Sequence, residues 1–569
     1  MKRTAIILAL LLAAATSWAR SESRLERQGS ATRLIVDDKP FVIVGGETGN
    51  SMASAAVDVE ECLRIAADHG YNTVLMPAAW ELIEPEEGKF DFSSVDEIIS
   101  QATAKGIRIG LLWFGAWKNS MSCYAPSWFK ADTDKYPRAR TRNGKPLEIA
   151  SAFSKNVFDA DSRAFVKLLE HIAATDTAGT VIILQIENEI GMLEDARDCS
   201  AIAEKEYAKG VPEALISHLE KNKKSLHPSL LEKWQRGGMK KRGSWSEVFG
   251  NDIFTDEIFM AWNYARYVEG LAVKAREIFP TMPLYVNAAM NSRGRRPGEY
   301  PSAGPLAHLK DVWHAAAPTV DLLAPDLYDK GFVDWVGAYA LPDNTLFIPE
   351  IKCTQGNAAQ LFYVVGEHNA IGMCPFAFNN RKDARQCGYQ AAGNEKLRSM
   401  VPLIADNLGR GTMNGFYFDA DSTQRTLRRD GLRITAKHFF TLPWDPRATD
   451  GSEWCAAGGL IVKIAPMEYI IAGSGLVVTF EPAEASAAVE RSLGEDGFLA
   501  SGADRTAGDD AKWRGKRIGL ASVEEVDIAA DGSMSRVRTL NGDETHQGRH
   551  VRIGVDDFQI LRVKLYEYK

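Results

Sequence analysis

Two acidic segments far apart in the chain carry its strongest chemical signal. The first is Glu187-Asn188-Glu189, which follows directly on the apolar run Val181-Ile182-Ile183-Leu184-Gln185-Ile186. The second is Glu350, which ends the run Leu346-Phe347-Ile348-Pro349. A carboxylate at the end of a buried apolar run is unfavourable unless it has a partner or a task. Two carboxyl groups facing each other across a cleft are what hydrolysis of a glycosidic bond requires. One protonates the leaving oxygen, and the other attacks the anomeric carbon or activates water. A separation of roughly 5–5.5 Å gives double displacement with retention of configuration. The acid of the pair needs a raised pKa, which a neighbouring negative charge supplies.

Bringing these segments together is the task of the elements around them. Eight short, nearly continuous apolar runs read as strands: Val42–Val44, Thr73–Met76, Ile107–Trp113, Val181–Ile186, Leu284–Val286, Asp321–Ala324, Leu346–Ile348 and Gly372–Phe376. Helical periodicity lies between them, as in Val59, Cys62, Leu63, Ala66 and Ala67, with Gly70 placed to end that helix. Ser94 and Glu97 have the spacing of a capping box for the next helix. Continuous apolar strands separated by helices imply a parallel sheet covered on its outer face. Eight such units close into a (β/α)8 TIM barrel. A doubly wound open sheet is the alternative, but neither GxGxxG nor a Walker motif appears.

In such a barrel the catalytic groups stand at the C-terminal ends of the strands. Strands four and seven lie on opposite sides of the mouth, so Glu189 and Glu350 are the candidate catalytic pair. Other polar or aromatic groups at strand ends are candidates for binding substrate: Trp117 after strand three, Asn287 after strand five, Asp326 and Tyr328 after strand six. A tryptophan there either stacks on the apolar face of a sugar or packs into the barrel. Asn287 either faces the site or caps a turn.

From about residue 412 the pattern turns to strands alone, with Leu561, Val563 and Leu565 alternating against Arg562 and Lys564. This reads as a smaller all-β sandwich. The expected organisation is a signal peptide at 1–19, a barrel with a short N-terminal hairpin at 20–411, and the β-sandwich at 412–569. The signal peptide rests on basic Lys2 and Arg3, the apolar stretch Ala5–Ala15, and Ser17-Trp18-Ala19 as a cleavage site. A periplasmic or secreted protein is expected.

Composition agrees with a globular chain: 569 residues, 45% hydrophobic and 25% charged. A formal net charge of −8 gives no reason to expect nucleic acid or an anionic membrane as a partner. No later apolar stretch reaches membrane-spanning length. The seven cysteines form no CxxC pair, and no HExxH or EF-hand loop occurs, so no metal and no cofactor is expected.

Gln185-Ile186-Glu187-Asn188-Glu189-Ile190-Gly191 resembles the Q-[VI]-E-N-E-x-G motif of family 35 glycoside hydrolases, the β-galactosidases of the clan that shares an Asn-Glu pair. Trp80 with Glu84-Pro85-Glu86-Glu87-Gly88-Lys89-Phe90-Asp91-Phe92 is similar to the family's W-x-x-x-E-P-x-x-G-x-[FY]-D-F stretch, and Gly45-Gly46-Glu47 fits the end of strand one. The resemblance covers roughly 30–410. It implies Glu189 as acid/base, Glu350 as nucleophile, Asn188 on the sugar 2-hydroxyl, Glu187 in the galactose subsite, and Tyr328 bonded to the nucleophile. There are departures. Trp113-Phe114-Gly115-Ala116-Trp117 stands where many members have A-E-W, and Pro349-Glu350-Ile351 replaces S-E-F. The expected activity is an exo-acting retaining β-galactosidase on oligo- or polysaccharide. The alternatives are a clan relative acting on glucosides, mannosides or internal linkages, and a non-catalytic carbohydrate-binding protein.

Overall fold

A computed structural model describes residues 22–381, 383–442, 445–448, 454–484 and 516–569. The expected signal peptide lies outside the described residues. Eight parallel strands close into a barrel: β1 (Ile43–Glu47), β2 (Thr73–Ala79), β3 (Arg108–Lys118), β4 (Val181–Asn188), β5 (Leu284–Ala289), β6 (Leu322–Leu327), β7 (Phe347–Ile351) and β8 (Gly372–Pro375). Each coincides with an apolar run read from the sequence. Ile43, Leu75, Leu112, Ile182, Tyr285, Leu322, Phe347 and Cys374 pack in one buried cluster drawn from every barrel strand. The barrel is therefore a filled core, and chemistry is confined to its ends.

A three-stranded antiparallel sheet, Arg24–Gln28, Ala31–Val36 and Lys39–Phe41, precedes the barrel, and its Leu34 and Val36 join that cluster. The expected hairpin is present, one strand larger than expected. Its turn is Asp37-Asp38, both with positive φ (51° and 58°), the geometry of a two-residue hairpin loop. The helix Ala56–Asp68 ends at Gly70, whose φ is +67°. The next helix, Ser93–Lys105, lacks the expected capping box. Instead the Asp91 carboxylate accepts the Ser93 N–H at 2.9 Å, because the helix begins two residues earlier than the Ser94–Glu97 spacing supposes. The long insertion after β4 folds into four short helices ahead of the 26-residue helix Ile253–Ile278.

Beyond the helices Ala384–Ser399 and Val401–Asn407 the described residues form strands joined by short 3-10 turns. Among them, one sheet has six strands and the other four. Phe416, Ile461, Tyr469 and Leu561 of the first sheet share a core with Ile434, Leu476, Val478 and Ile553 of the second, so the two form a sandwich. The opposite face of the six-stranded sheet (Leu460, Val462, Ile470, Ile560) packs into the main core with Phe362 of the barrel helix Asn357–His368. Gly366 of that helix allows the contact, since a Cβ there would come within 2.5 Å of Leu460 Cβ. The sandwich thus braces the barrel on the side of β7 and β8.

Candidate active site

Glu189 and Glu350 stand at the C-terminal ends of β4 and β7, buried to 6% and 5% exposure. They belong to one cluster of acids. Asp326 on β6 lies opposite Glu350 in the parallel register, and its carboxyl also hydrogen-bonds Glu189. Glu47, at the end of β1, hydrogen-bonds Glu350 carboxyl to carboxyl. Lys118, at the end of β3 and 3% exposed, faces all four.

Burial sets the electrostatics. It pushes the Glu189 carboxyl up to about 7, with the Glu350 charge adding to the rise and Lys118, Asp326 and Asn119 opposing it. Burial also raises Glu350, but Lys118, the Tyr328 hydroxyl and Glu47 all pull it back toward the ionised form. Glu47 and Asp326 are held well above the carboxylate range by burial, with the Glu350 charge next. Two carboxyls in contact cannot both be ionised, so Glu47 carries the proton and donates it to Glu350.

The backbone at this rim is strained. Glu187 and Glu189 have φ of 58° and 45°, left-handed values that a residue with a Cβ rarely adopts. Neighbouring strands hold them there. Asn287 on β5 accepts the Glu189 N–H at 3.0 Å, and its amide donates to Asp326 at 2.7 Å. Asn287 therefore ties β4 to β6 rather than capping a turn.

The other expected site residues divide in two. Tyr328 is 39% exposed and donates its hydroxyl to Glu350 Oε1. Asn188, next to Glu189 in the chain, is fully buried, and neither its Oδ1 nor its Nδ2 has a protein partner. Glu187 and Trp117 lie elsewhere. The Glu187 carboxylate accepts the Trp117 N–H at 2.8 Å and bonds the carboxyl of Asp161 on the helix Lys155–Thr175. Asp161 in turn accepts from Trp113 Nε1 at 2.9 Å and from the Tyr267 hydroxyl at 2.6 Å. This network lies between the barrel wall and its helices. The left-handed turn at Glu187 sends its side chain outward, which corrects the galactose-subsite reading. Trp117 is fully buried, edge-on to Tyr264 and Tyr267, with ring centroids 5.7 and 4.7 Å away. It is a wall residue and not an exposed sugar platform.

Four participants went unread in the sequence. Glu47 ends β1 as Glu350 ends β7, and the same strand-end rule would have assigned it a role. Lys118 and Asn119 lie in a segment that draws attention through its tryptophans. Asp161 sits mid-helix among apolar positions and gives no local signal. Trp80 and Glu84 of the second strand's motif prove structural. Trp80 Nε1, Gly88 N–H and Arg163 all donate to the buried Glu84 carboxylate, at 2.9, 2.7 and 2.7 Å.

Residues 33–233 match the model of glycosyl hydrolases family 35. The match takes in the first four strands of the barrel. Residues 395–552 of the same chain match a second model, a domain of unknown function (DUF5597), which takes in the last barrel helices and most of the sandwich. A β-galactosidase of Xanthomonas manihotis is 27% identical over 219 residues, 37% of this chain and 34% of that protein. The chain thus matches about a third of the length of this curated relative. Among solved structures, the β-galactosidase of Bacillus circulans sp. alkalophilus aligns with a TM-score of 0.45 at 14% identity, covering 64% of this chain and 57% of that one. The β-mannanase of the blue mussel Mytilus edulis aligns with a TM-score of 0.38 at 13% identity, covering 66% and 97%. The family 35 match takes in Glu47, Lys118, Asn119 and Glu189 but stops before Asp326 and Glu350. Among the described residues no group of histidine, cysteine and acidic side chains is arranged to hold a metal ion. No helix among them is long and apolar enough to cross a membrane.

Proposed function

We propose that this chain is a retaining β-glycoside hydrolase that removes terminal β-galactosyl residues from oligo- or polysaccharides. One observation carries the reading. Glu189 and Glu350 share a buried acid cluster at the barrel mouth, where burial raises both carboxyls, Glu189 to about 7, while Lys118, Tyr328 and Glu47 draw Glu350 back toward its ionised form. Glu189 is kept as an acid near neutral pH. Glu350 receives hydrogen bonds from Tyr328 and Glu47 that favour its carboxylate.

In the first step Glu350 forms the bond to the anomeric carbon as the glycosidic C–O bond breaks. The electron pair stays on the leaving oxygen, which takes the proton of Glu189. Water, deprotonated by Glu189, then releases the sugar from Glu350 with net retention. Asn188 is suited to hold the 2-hydroxyl through its free amide. The curated relative is named a β-galactosidase, which supports galactose as the glycone. One observation favours a second reading, a different glycone: Ala116 stands in the segment where many family members place a sugar-binding glutamate. The expected signal peptide supports export as part of the proposal.

A panel of nitrophenyl β-glycosides tests the glycone, and NMR of the first-formed product anomer tests retention. The reading fails if folded protein turns over no β-glycoside, if the product first appears inverted, or if Glu350→Gln keeps near-native activity. Fractionating the native host tests export.

A further inference from the structure

We propose that Lys118 and Asn119 form a positioning relay that dictates which oxygen of Glu189 carries the proton it donates. The proposal rests on Glu189 being the acid/base. An asparagine amide can in principle face either way, but its neighbours leave Asn119 one choice. Lys118 Nζ lies on its Oδ1 side and the Glu189 carboxylate on its Nδ2 side. An ammonium only donates, so the amide oxygen must face Lys118 and the NH2 must face Glu189. Glu189 Oε2 is thereby committed as an acceptor. The proton that passes to the leaving oxygen must then sit on Oε1.

The backbone locks the relay in place. Asn119 N–H donates to Asn188 O and Ser120 N–H to Glu189 O, each at 3.2 Å, so the end of β3 is stitched to the residues it serves. Asn119 and Ser120 both have positive φ (52° and 56°), a conformation that asparagine tolerates better than most residues. Lys118 is buried, with Nζ 5.1 Å from the Phe114 ring centroid. The groups facing Glu189 are Lys118 and Asn119 from β3, Asp326 from β6, Glu350 from β7 and Glu47 from β1. The Lys118 charge, the Asp326 carboxyl and the Asn119 N–H favour ionised Glu189, against burial and the Glu350 charge. Losing either member of the relay therefore frees the proton to move between oxygens and raises the pH at which it is lost.

The test compares two aryl glycosides of the sugar turned over best. The phenyl glycoside needs protonation of its leaving group, and the 2,4-dinitrophenyl glycoside does not. Asn119→Gly keeps the left-handed backbone and removes the amide. Lys118→Met removes the charge, and Lys118→Arg keeps it. Glu189→Gln is the reference for a lost acid. We expect Asn119→Gly and Lys118→Met to lose kcat/KM by roughly tenfold more on the phenyl than on the dinitrophenyl glycoside, the size of one charge-assisted hydrogen bond. The alkaline limb of their pH profiles should move up, and Lys118→Arg should restore it. Equal losses on both substrates, or an unmoved alkaline limb in folded protein, would overturn the relay. If Lys118→Met fails to fold, Asn119→Gly decides alone. If Glu189→Gln itself shows no leaving-group dependence, the acid/base assignment falls instead, and the two failures are told apart.

Discussion

Replacing Tyr328 with phenylalanine removes one hydroxyl and leaves the ring, which stands edge-on to Phe376 with centroids 6.3 Å apart. The lost interaction is the hydrogen bond to Glu350 Oε1. Glu350 is almost fully buried, so no bulk solvent compensates for the missing donor. A hydrogen bond to a charged group contributes about 1.5–3 kcal/mol. Tyr328 is 39% exposed, which places it toward the lower figure. A loss of about 1.5 kcal/mol corresponds to roughly a tenfold fall in kcat/KM. The pH dependence carries the sharper information. The phenol favours ionised Glu350, so its removal raises the pKa of that carboxyl. A nucleophile must be ionised, so activity should fail at a higher pH on the acid side while the alkaline limb stays near that of Glu189. The assay is kcat/KM for a nitrophenyl glycoside across pH 4–9 (an about five-unit window bracketing both carboxyls). An acid limb that stays put while the rate falls would refute the claim that Tyr328 acts through Glu350.

The remaining predictions concern the wall and the core. Burial and Asp161 raise the Glu187 carboxyl far above its unfolded value, so the folded protein binds a proton there that the unfolded chain has released. Its stability contribution is complete below the unfolded pKa of about 4.3 and is lost as pH rises toward the folded value. Glu187→Gln can still donate to Asp161 and accept from Trp117, so its Tm should fall less between pH 5 and 9 (a span of about four units above the unfolded pKa). Parallel Tm curves for the two proteins would contradict the shared proton. Trp117→Phe should lower Tm and leave KM nearly unchanged, because the ring packs on Tyr264 and Tyr267 away from substrate. A large rise in KM would restore the stacking role. Gly372→Ala should cost about 1–3 kcal/mol in denaturant unfolding, because its Cβ would lie 2.3 Å from Ile43 Cβ and 2.5 Å from Ile43 O on β1. A neutral result would mean that β8 can shift away from β1.

The fold was legible because each barrel strand is buried on both faces and therefore reads as a continuous apolar run that polar loops cannot mimic. The sandwich was read less completely. Met534–Leu540 is exposed along most of its length, and Gln424–Arg429 alternates exposed with half-buried positions of which Leu427 alone is apolar, so neither leaves an apolar pattern to find. In the site, Glu189, Glu350, Asn287 and Asp326 were singled out by one rule, a polar residue ending an apolar strand, whereas the family resemblance placed Glu187 in the galactose subsite. Alternation assumes regular strand geometry, and the left-handed residues 187 and 189 break it, turning one acid toward the helices and the other toward the mouth. Lys118 and Asn119 were passed over because their meaning is relational: neither signals chemistry until the end of β3 is seen against the end of β4.

The acid cluster also explains why one chain places so many carboxyls together. Glu47, Asp326, Glu189 and Glu350 face a shared buried space with Lys118 among them, and four negative charges there would repel strongly in a weakly screening interior. Protons must remain on most of them near neutral pH, and the surroundings decide which. Glu47 and Asp326 are pushed up furthest, Glu189 to about 7, and Glu350 alone gains donors from both Tyr328 and Glu47. The result is a graded set in which the two acids pushed up furthest act as hydrogen-bond donors, Glu47 to Glu350 and Asp326 to Glu189. Neither needs to react to be required. Glu47→Gln, which can donate the same hydrogen bond without titrating, should therefore retain much of the activity, whereas Glu47→Ala, which leaves Glu350 with the phenol alone, should raise the acid limb as Tyr328→Phe does. Loss of activity in the glutamine variant equal to that in the alanine variant would show that Glu47 works as a charge, and the graded arrangement of protons would have to be abandoned.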